Sequence, residues 1–164
     1  MGERAVRWVA GGLAVVLVAL LVAIGLVVSQ RGEVDAGLTA AQQDVAGAAR
    51  REALAFLTVD HRDMDPLIDA VLDGATGGFA QQYAAQRETL TTEAVRTEAI
   101  STPEVVALGV GDQDEESATV LVAANSTVTN TGTDADGQVR YYRLRLRLVR
   151  EDDRWLTSDL QFVR

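Results

Sequence analysis

RYYRLRLRLVR, residues Arg140 to Arg150, is the most regular alternation of polar and apolar side chains in this 164-residue chain. In an extended strand, one face of this segment carries Tyr142, Leu144, Leu146 and Leu148. The other face carries Tyr141, Arg143, Arg145 and Arg147. A period of two predicts a strand in a sheet that buries one face and exposes the other to water.

Three further strands are predicted around this one, all within residues 104–163. Two valine-containing segments precede it, Val105 to Val110 and Ala118 to Thr129. Trp155 to Val163 follows it, with one face assigned to Leu156, Leu160 and Phe162. The connecting segments are rich in Asp, Gly and Asn, which favour turns. The sequence therefore predicts a four-stranded antiparallel meander.

The first of three predicted helices spans Leu38 to Leu57, where apolar residues recur at spacings of three and four. Thr39 and Gln42 have the spacing of a capping box, which would place the helix start there. The apolar stripe is mostly alanine and lacks Leu or Ile heptads. This favours packing on the helix's own domain over a coiled-coil stalk, and both alternatives stay open.

A polar break from Thr58 to Asp65 precedes the second helix. Asp65 and Pro66 have the pattern of an N-cap followed by proline at the first helical position, and Gly74 would end the helix. The third helix is predicted from Phe79 through Val95 towards Ile100. Helices followed by strands indicate an α+β fold in which three helices pack on one face of the sheet.

Before these elements lies an uncharged run of twenty-one residues, Trp8 to Val28 (WVAGGLAVVLVALLVAIGLVV). A helix of this length spans about 31 Å, the thickness of a bilayer's hydrocarbon core. We therefore expect a cytoplasmic head at residues 1–7, a transmembrane helix at 8–28 and an extracytoplasmic domain at 29–164 in the plasma membrane. That domain comprises a linker and first helix (29–58), the other helices (59–100) and the sheet.

Arg4 and Arg7 in the head favour this orientation by the positive-inside rule. The length of the run favours an uncleaved anchor over a signal peptide.

The composition excludes several classes of function. The formal net charge is −9, which argues against nucleic-acid binding because such proteins present a basic face. The chain has no cysteine and a single histidine, so neither disulfides nor a thiolate or histidine metal site is expected. No cofactor is indicated.

Three segments together resemble the Mce-associated membrane proteins of actinobacteria. They are ARREALAFLTVDHRDMD (residues 49–65), TGGFAQQYAAQRETL (76–90) and RYYRLRLRLVREDDRWLTSDLQFV (140–163). The likeness covers nearly the whole chain, and none of its motifs is catalytic. It implies a curved sheet wrapped on helices, as in the nuclear-transport-factor-2-like (NTF2-like) cone. It also implies a non-enzymatic accessory subunit of a Mce-type lipid import complex, with Mce-complex proteins as partners.

Two other functions stay open because one fold serves many functions. The cone interior could bind a small molecule or act as an isomerase. The domain could also be a scaffold like the periplasmic domains of type IV secretion systems. Whether the chain forms a homo-oligomer is left open.

The candidate site residues fall into three groups. An enzyme would need an acid or base in an apolar pocket, and the best residues by type are Asp60, His61 and Asp63, although a solvated loop is the expected placement. The second group is the tyrosines, which could donate phenol hydroxyls: Tyr83, Tyr141 and Tyr142. The third is the arginine row, Arg143, Arg145 and Arg147, a candidate docking face for an acidic partner or lipid headgroups.

Overall fold

A computed structural model describes residues 38–133 and 136–164. The predicted cytoplasmic head and transmembrane helix lie outside these residues. Within the described ranges, no helix has the length and apolarity needed to cross a membrane. The helices are α1 (Ala40–Leu57), α2 (Asp65–Gly74), α3 (Gly77–Ala85) and α4 (Arg87–Thr97). The strands are β1 (Val59–Asp60), β2 (Ile100–Gln113), β3 (Ser117–Thr129), β4 (Gln138–Glu151) and β5 (Arg154–Phe162).

The strands form one antiparallel sheet in the order β1-β2-β3-β4-β5. This confirms the α+β class and the antiparallel meander, but the sheet has five strands where four were predicted. β1 lies in the predicted polar break, and it pairs Val59 with Ser101 and Asp60 with Ile100. β2 begins at Ile100, five residues before its predicted start, so it extends far enough to give this short segment a partner.

The alternating faces of β4 are confirmed. Leu144, Leu146 and Leu148 are fully buried, and β3 contributes buried residues opposite them. The sheet core formed by these two strands consists of Ala118, Val120, Val122, Ala124, Leu144, Leu146 and Leu148. The intervening residues of β4 are exposed on the outer face.

The predicted face of β5 is wrong in part, because a β-bulge shifts its register. Arg147 pairs with Asp159 but Leu148 pairs with Thr157, which leaves Ser158 without an opposite residue. The Ser158 hydroxyl donates a hydrogen bond to the Arg147 carbonyl oxygen (3.1 Å). An inserted residue reverses the side-chain parity beyond it. Thr157 therefore takes the core position that the regular alternation gave to Leu156.

Helix α1 begins at the predicted capping box. The Gln42 amide donates to the Thr39 hydroxyl (3.3 Å), and the Thr39 amide donates to the Gln42 side-chain oxygen (3.0 Å). The apolar stripe of α1 packs on the sheet core, with Val45, Ala48, Ala49, Ala53 and Leu57 buried. The domain thus uses this stripe in its own core, as the first of the two alternatives predicted.

The region predicted as one third helix contains two, which makes four helices in the described residues. Gln86 has φ −95° and ψ 0°, so the chain turns there between α3 and α4. The N-cap of α2 also differs from the prediction, since α2 begins at Asp65 and Met64 precedes it without a side-chain cap. The Asp65 carboxylate accepts instead from Arg87 of α4 (3.1 Å). Gly74 ends α2, as predicted.

Candidate functional site

The arginine row lies on the outer face of the sheet. Arg143, Arg145 and Arg147 are all exposed, and none forms an ion pair with a described residue. Alternate positions on one strand lie about 7 Å apart, so three guanidinium groups line one side of β4. The fold therefore brings the predicted residues together on one accessible face.

The neighbouring strand leaves these charges uncompensated. Asp159 is the cross-strand partner of Arg147. Its carboxylate, however, accepts a hydrogen bond from the side-chain amide of Gln161 (2.8 Å). Gln161 in turn accepts a hydrogen bond from Arg145. Asp159 is thus engaged with its own strand, and the guanidinium group of Arg147 stays available to another molecule.

Exposed apolar side chains accompany the row. Leu121, whose cross-strand partner is Arg145, is 53% exposed. Tyr141 continues the alternation of β4 beyond Arg143 and is 77% exposed. A face that combines arginine, tyrosine and leucine has the composition of a protein interface, where Arg and Tyr are enriched. We call the surface formed by Leu121, Tyr141, Arg143, Arg145 and Arg147 the outer arginine face.

The acid–base candidates lie in a turn. Asp60 accepts two hydrogen bonds from the side chain of Arg62, and these bonds lower the pKa of Asp60 to about 2. His61 donates its backbone amide to Ala99 (3.0 Å), and Asp63 is exposed. Asp60, at the end of β1, is thus ion-paired with Arg62, and Asp63 lies exposed in the turn that follows, so neither carboxylate lies in an apolar pocket. Among the described residues, no group of three His, Asp or Glu side chains could hold a metal ion.

The three tyrosines occupy different places. Tyr83 packs against Phe56 (ring centroids 5.9 Å apart) and Phe79, and burial raises its pKa. Tyr142 packs against Phe162 with a centroid distance of 6.0 Å. Tyr141 belongs to the outer arginine face. The structure therefore does not gather the tyrosine hydroxyls into one site.

A cleft that the sequence did not indicate opens between α1, α2 and the turns β2–β3 and β4–β5. Its volume is about 760 Å³. Two contacts hold α2 beside β5 and so shape one wall. Arg154 binds the carboxylate of Asp73 (2.9 Å), and the Thr76 amide donates to the Thr157 carbonyl oxygen (2.9 Å).

Glu52 of α1 is part of the wall of this cleft and is only 3% exposed. Its Oε1 atom has no hydrogen-bond partner among the described residues. Burial, with a contribution from the nearby charge of Asp73, raises the pKa of Glu52 to about 8. The carboxyl group is therefore mainly protonated at neutral pH.

Glu52 was not among the candidate site residues, yet its spacing in the sequence indicates that it is buried. It follows the buried residues Val45, Ala48 and Ala49 by seven, four and three positions. These separations place it on the buried stripe of a helix. The spacing therefore indicates a buried acid, although the residue type alone predicts an exposed side chain.

Comparisons with solved structures define the class of fold. An IcmL-like type IV secretion system protein from Legionella pneumophila is 13% identical and has a TM-score of 0.60, over 77% of this chain and 94% of that one. CagV, a VirB8 homologue of the type IV secretion system of Helicobacter pylori, is 7% identical with a TM-score of 0.59, over 74% and 97% of the two chains. The periplasmic domain of DotI is 10% identical with a TM-score of 0.58, over 77% and 98%. The chain thus shares the α+β fold of these secretion-system domains.

Within that class, residues 6–164 match the family described as "Uncharacterized protein Rv1363c/MT1408-like", and the chain belongs to this family. No curated protein matches the chain. Neither the family description nor these structures name a Mce component, so the link to Mce complexes stays a prediction.

Proposed function

We propose that the chain is a non-enzymatic, membrane-anchored assembly subunit whose extracytoplasmic domain docks an acidic partner protein through the outer arginine face. The observation that carries this proposal is the set of three exposed arginines without an ionic partner in the described residues. In a chain of net charge −9, these arginines form a local cationic surface. Guanidinium groups form bidentate hydrogen bonds with carboxylates, which suits such a surface to a protein partner.

The shared fold supports an assembly role. The solved structures of this shape include an IcmL-like secretion protein, a VirB8 homologue and the periplasmic domain of DotI. The likeness concerns the fold, and function depends on the site grafted on it. The turn around Asp60 offers no desolvated base, so Asp60, His61 and Asp63 give no support to the enzyme alternative.

The partner that we favour is a Mce-type lipid import complex, on the sequence resemblance described above. A scaffold role in a secretion-type assembly is the alternative, and the structural neighbours favour it. Both roles place the N-terminus in the cytoplasm and the docking domain outside the plasma membrane.

Chemical crosslinking of the full chain in native membranes, followed by mass spectrometry, tests the proposal. We expect crosslinks between residues near the outer arginine face and an acidic segment of a neighbouring subunit. Crosslinks to Mce subunits support the favoured partner, whereas crosslinks to secretion-type subunits support the alternative. Crosslinks confined to other faces of the domain would contradict a docking role for this surface.

A further inference from the structure

The Glu52 cleft lies between α1, α2 and two turns, and none of Arg143, Arg145 and Arg147 lines it. Its volume of about 760 Å³ falls within the range of sites that hold small molecules. The cleft is this large because many of its lining residues on the two helices have small side chains. These residues are Ala41, Gly47, Ala48, Ala55, Ala70 and Gly74. Size alone does not identify a ligand, so the chemistry of the wall has to do so.

Two buried acceptors on the wall have no donor among the described residues. One is Oε1 of Glu52 and the other is Oε1 of Gln113. The amide nitrogen of Gln113 donates to the Ala41 carbonyl oxygen (3.3 Å), which fixes this side chain across the rim. Buried oxygen acceptors without donors are costly, and a ligand with N–H groups would satisfy both.

The charged groups on the rim favour a positive ligand. Arg154 is bound to Asp73 and Arg150 lies 3.5 Å from Asp153, so these cations are compensated. The Asp114 carboxylate accepts from the backbone amides of Glu116 and Ser117 in the β2–β3 turn. Asp44 and Glu115 add two more carboxylates, against the single guanidinium of Arg51.

Trp155 supplies an aromatic wall. It lines the cleft at the start of β5 and is half-buried. Indole is the best cation–π partner among side chains, and a delocalised cation such as guanidinium can also stack on it.

We infer that this cleft is a binding site for a small organic cation with N–H donors, an ammonium or guanidinium compound, which Glu52 and Gln113 hold against Trp155. Glu52 becomes a carboxylate when the cation enters, and its proton passes to solvent. The groups that bear on this ionisation are Asp73 of α2, with Arg154 of β5 bound to it, and Tyr83 of α3. The site does not depend on the outer arginine face.

Titration of the full chain with methylguanidinium or ethylammonium chloride tests this inference, with sodium chloride at equal ionic strength as the control. The chain has two tryptophans, so Trp8→Phe leaves Trp155 as the one fluorescent indole. We expect a saturable change in fluorescence and release of up to one proton below about pH 8, measured by calorimetry in two buffers. The guanidinium and ammonium arms separate the two ligand classes.

Glu52→Gln keeps the volume of the side chain and is neutral, so it should fold. It should weaken binding by about tenfold or more and abolish proton release. Glu104→Gln removes an exposed carboxylate on β2 that does not line the cleft, so it should change the affinity by less than about threefold. A response that never saturates, or equal binding by Glu52→Gln and wild type, would overturn the inference. Release of co-purified proteins by methylguanidinium would also overturn it, because the occupant would then be a protein side chain.

Discussion

The carboxyl group of Glu52 occupies the space where Gly74 lacks a side chain. A Cβ atom at Gly74 would lie 1.9 Å from Oε2 of Glu52. Two helices therefore approach closely at this point, and a buried acid fills the gap. The absence of a side chain at position 74 is a packing requirement, separate from the tendency of glycine to end helices.

Gly74→Ala should destabilise the domain by about 1 to 2 kcal/mol, because Glu52 has to move within a packed wall. In a Glu52→Ala background the same change should be close to neutral, because the space that the Cβ atom needs is then free. Denaturant unfolding of the four proteins in this double-mutant cycle measures the coupling. Gly47→Ala is the control and should stabilise, because the nearest atom to its Cβ is the flexible Arg51 Nη1 at 3.4 Å. Equal effects of Gly74→Ala in both backgrounds would show that the two residues do not interact.

The raised pKa of Glu52 makes the free energy of unfolding depend on pH. A carboxyl group whose pKa rises from 4.5 to about 8 on folding keeps its proton in the native state and loses it in the unfolded state between these values. Stability should fall as pH rises through this window, by about 1.4 kcal/mol per pH unit and by roughly 3 to 5 kcal/mol in all. Below about pH 4.5 this loss is absent.

Glu52→Gln should remove this dependence. The free energy of unfolding of the variant, relative to that of wild type, should therefore increase as pH rises from about 4.5 to 8. The measured quantity is the difference in unfolding free energy between the two proteins, since this cancels the other titrating groups. A difference that stays constant across this range would contradict the burial of Glu52.

The two faces of the sheet should respond differently to the loss of one leucine. Leu146→Ala removes a fully buried side chain and should cost about 2 to 5 kcal/mol. Leu121→Ala, on the exposed face of the adjacent strand, should change stability by about 0.5 kcal/mol or less. Thermal or denaturant unfolding distinguishes them, and similar losses for both would mean that the outer face is covered within the domain.

The predicted anchor can be tested by fusing a reporter after Arg164. A reporter that is active only outside the cytoplasm should be active in this fusion. A reporter that is active only in the cytoplasm should be inactive. Replacing Arg4 and Arg7 by Glu should weaken this orientation, because positive residues hold the head inside. Cytoplasmic activity of the wild-type fusion would reverse the predicted topology.

The sequence predicted the sheet best where one face is uniformly apolar and the other polar. Leu144, Leu146 and Leu148 gave an unambiguous period of two, and the structure confirms it. The bulge at Ser158 could not be predicted, because nothing in TSDL breaks the alternation locally. It depends on the register that β4 imposes on β5. β1 was missed for a similar reason, since Val59 and Asp60 are extended only because β2 pairs with them.

The candidate site was predicted in its residues but not in its surroundings. The spacing of Arg143, Arg145 and Arg147 was sufficient to place them on one face. The pairing of Asp159 with Gln161 depends on side-chain rotamers and on the bulge, which spacing does not encode. The cleft requires the packing of α2 beside β5, a contact between residues far apart in the sequence.

If the outer arginine face binds an acidic partner, replacing its three arginines should abolish the association. The variant is Arg143→Gln, Arg145→Gln and Arg147→Gln in the full chain. The control replaces three other exposed arginines, Arg62, Arg96 and Arg164, by Gln and so removes the same formal charge. Both variants should fold like wild type, because exposed charges contribute only about 0 to 1 kcal/mol each.

The measurement is the amount of the crosslinked partner that co-purifies with each protein at low and high salt. We expect that the row variant loses the partner, that the control retains it, and that wild-type association weakens as salt rises. Association that is insensitive to salt and survives the triple replacement would show that the partner does not bind through these arginines.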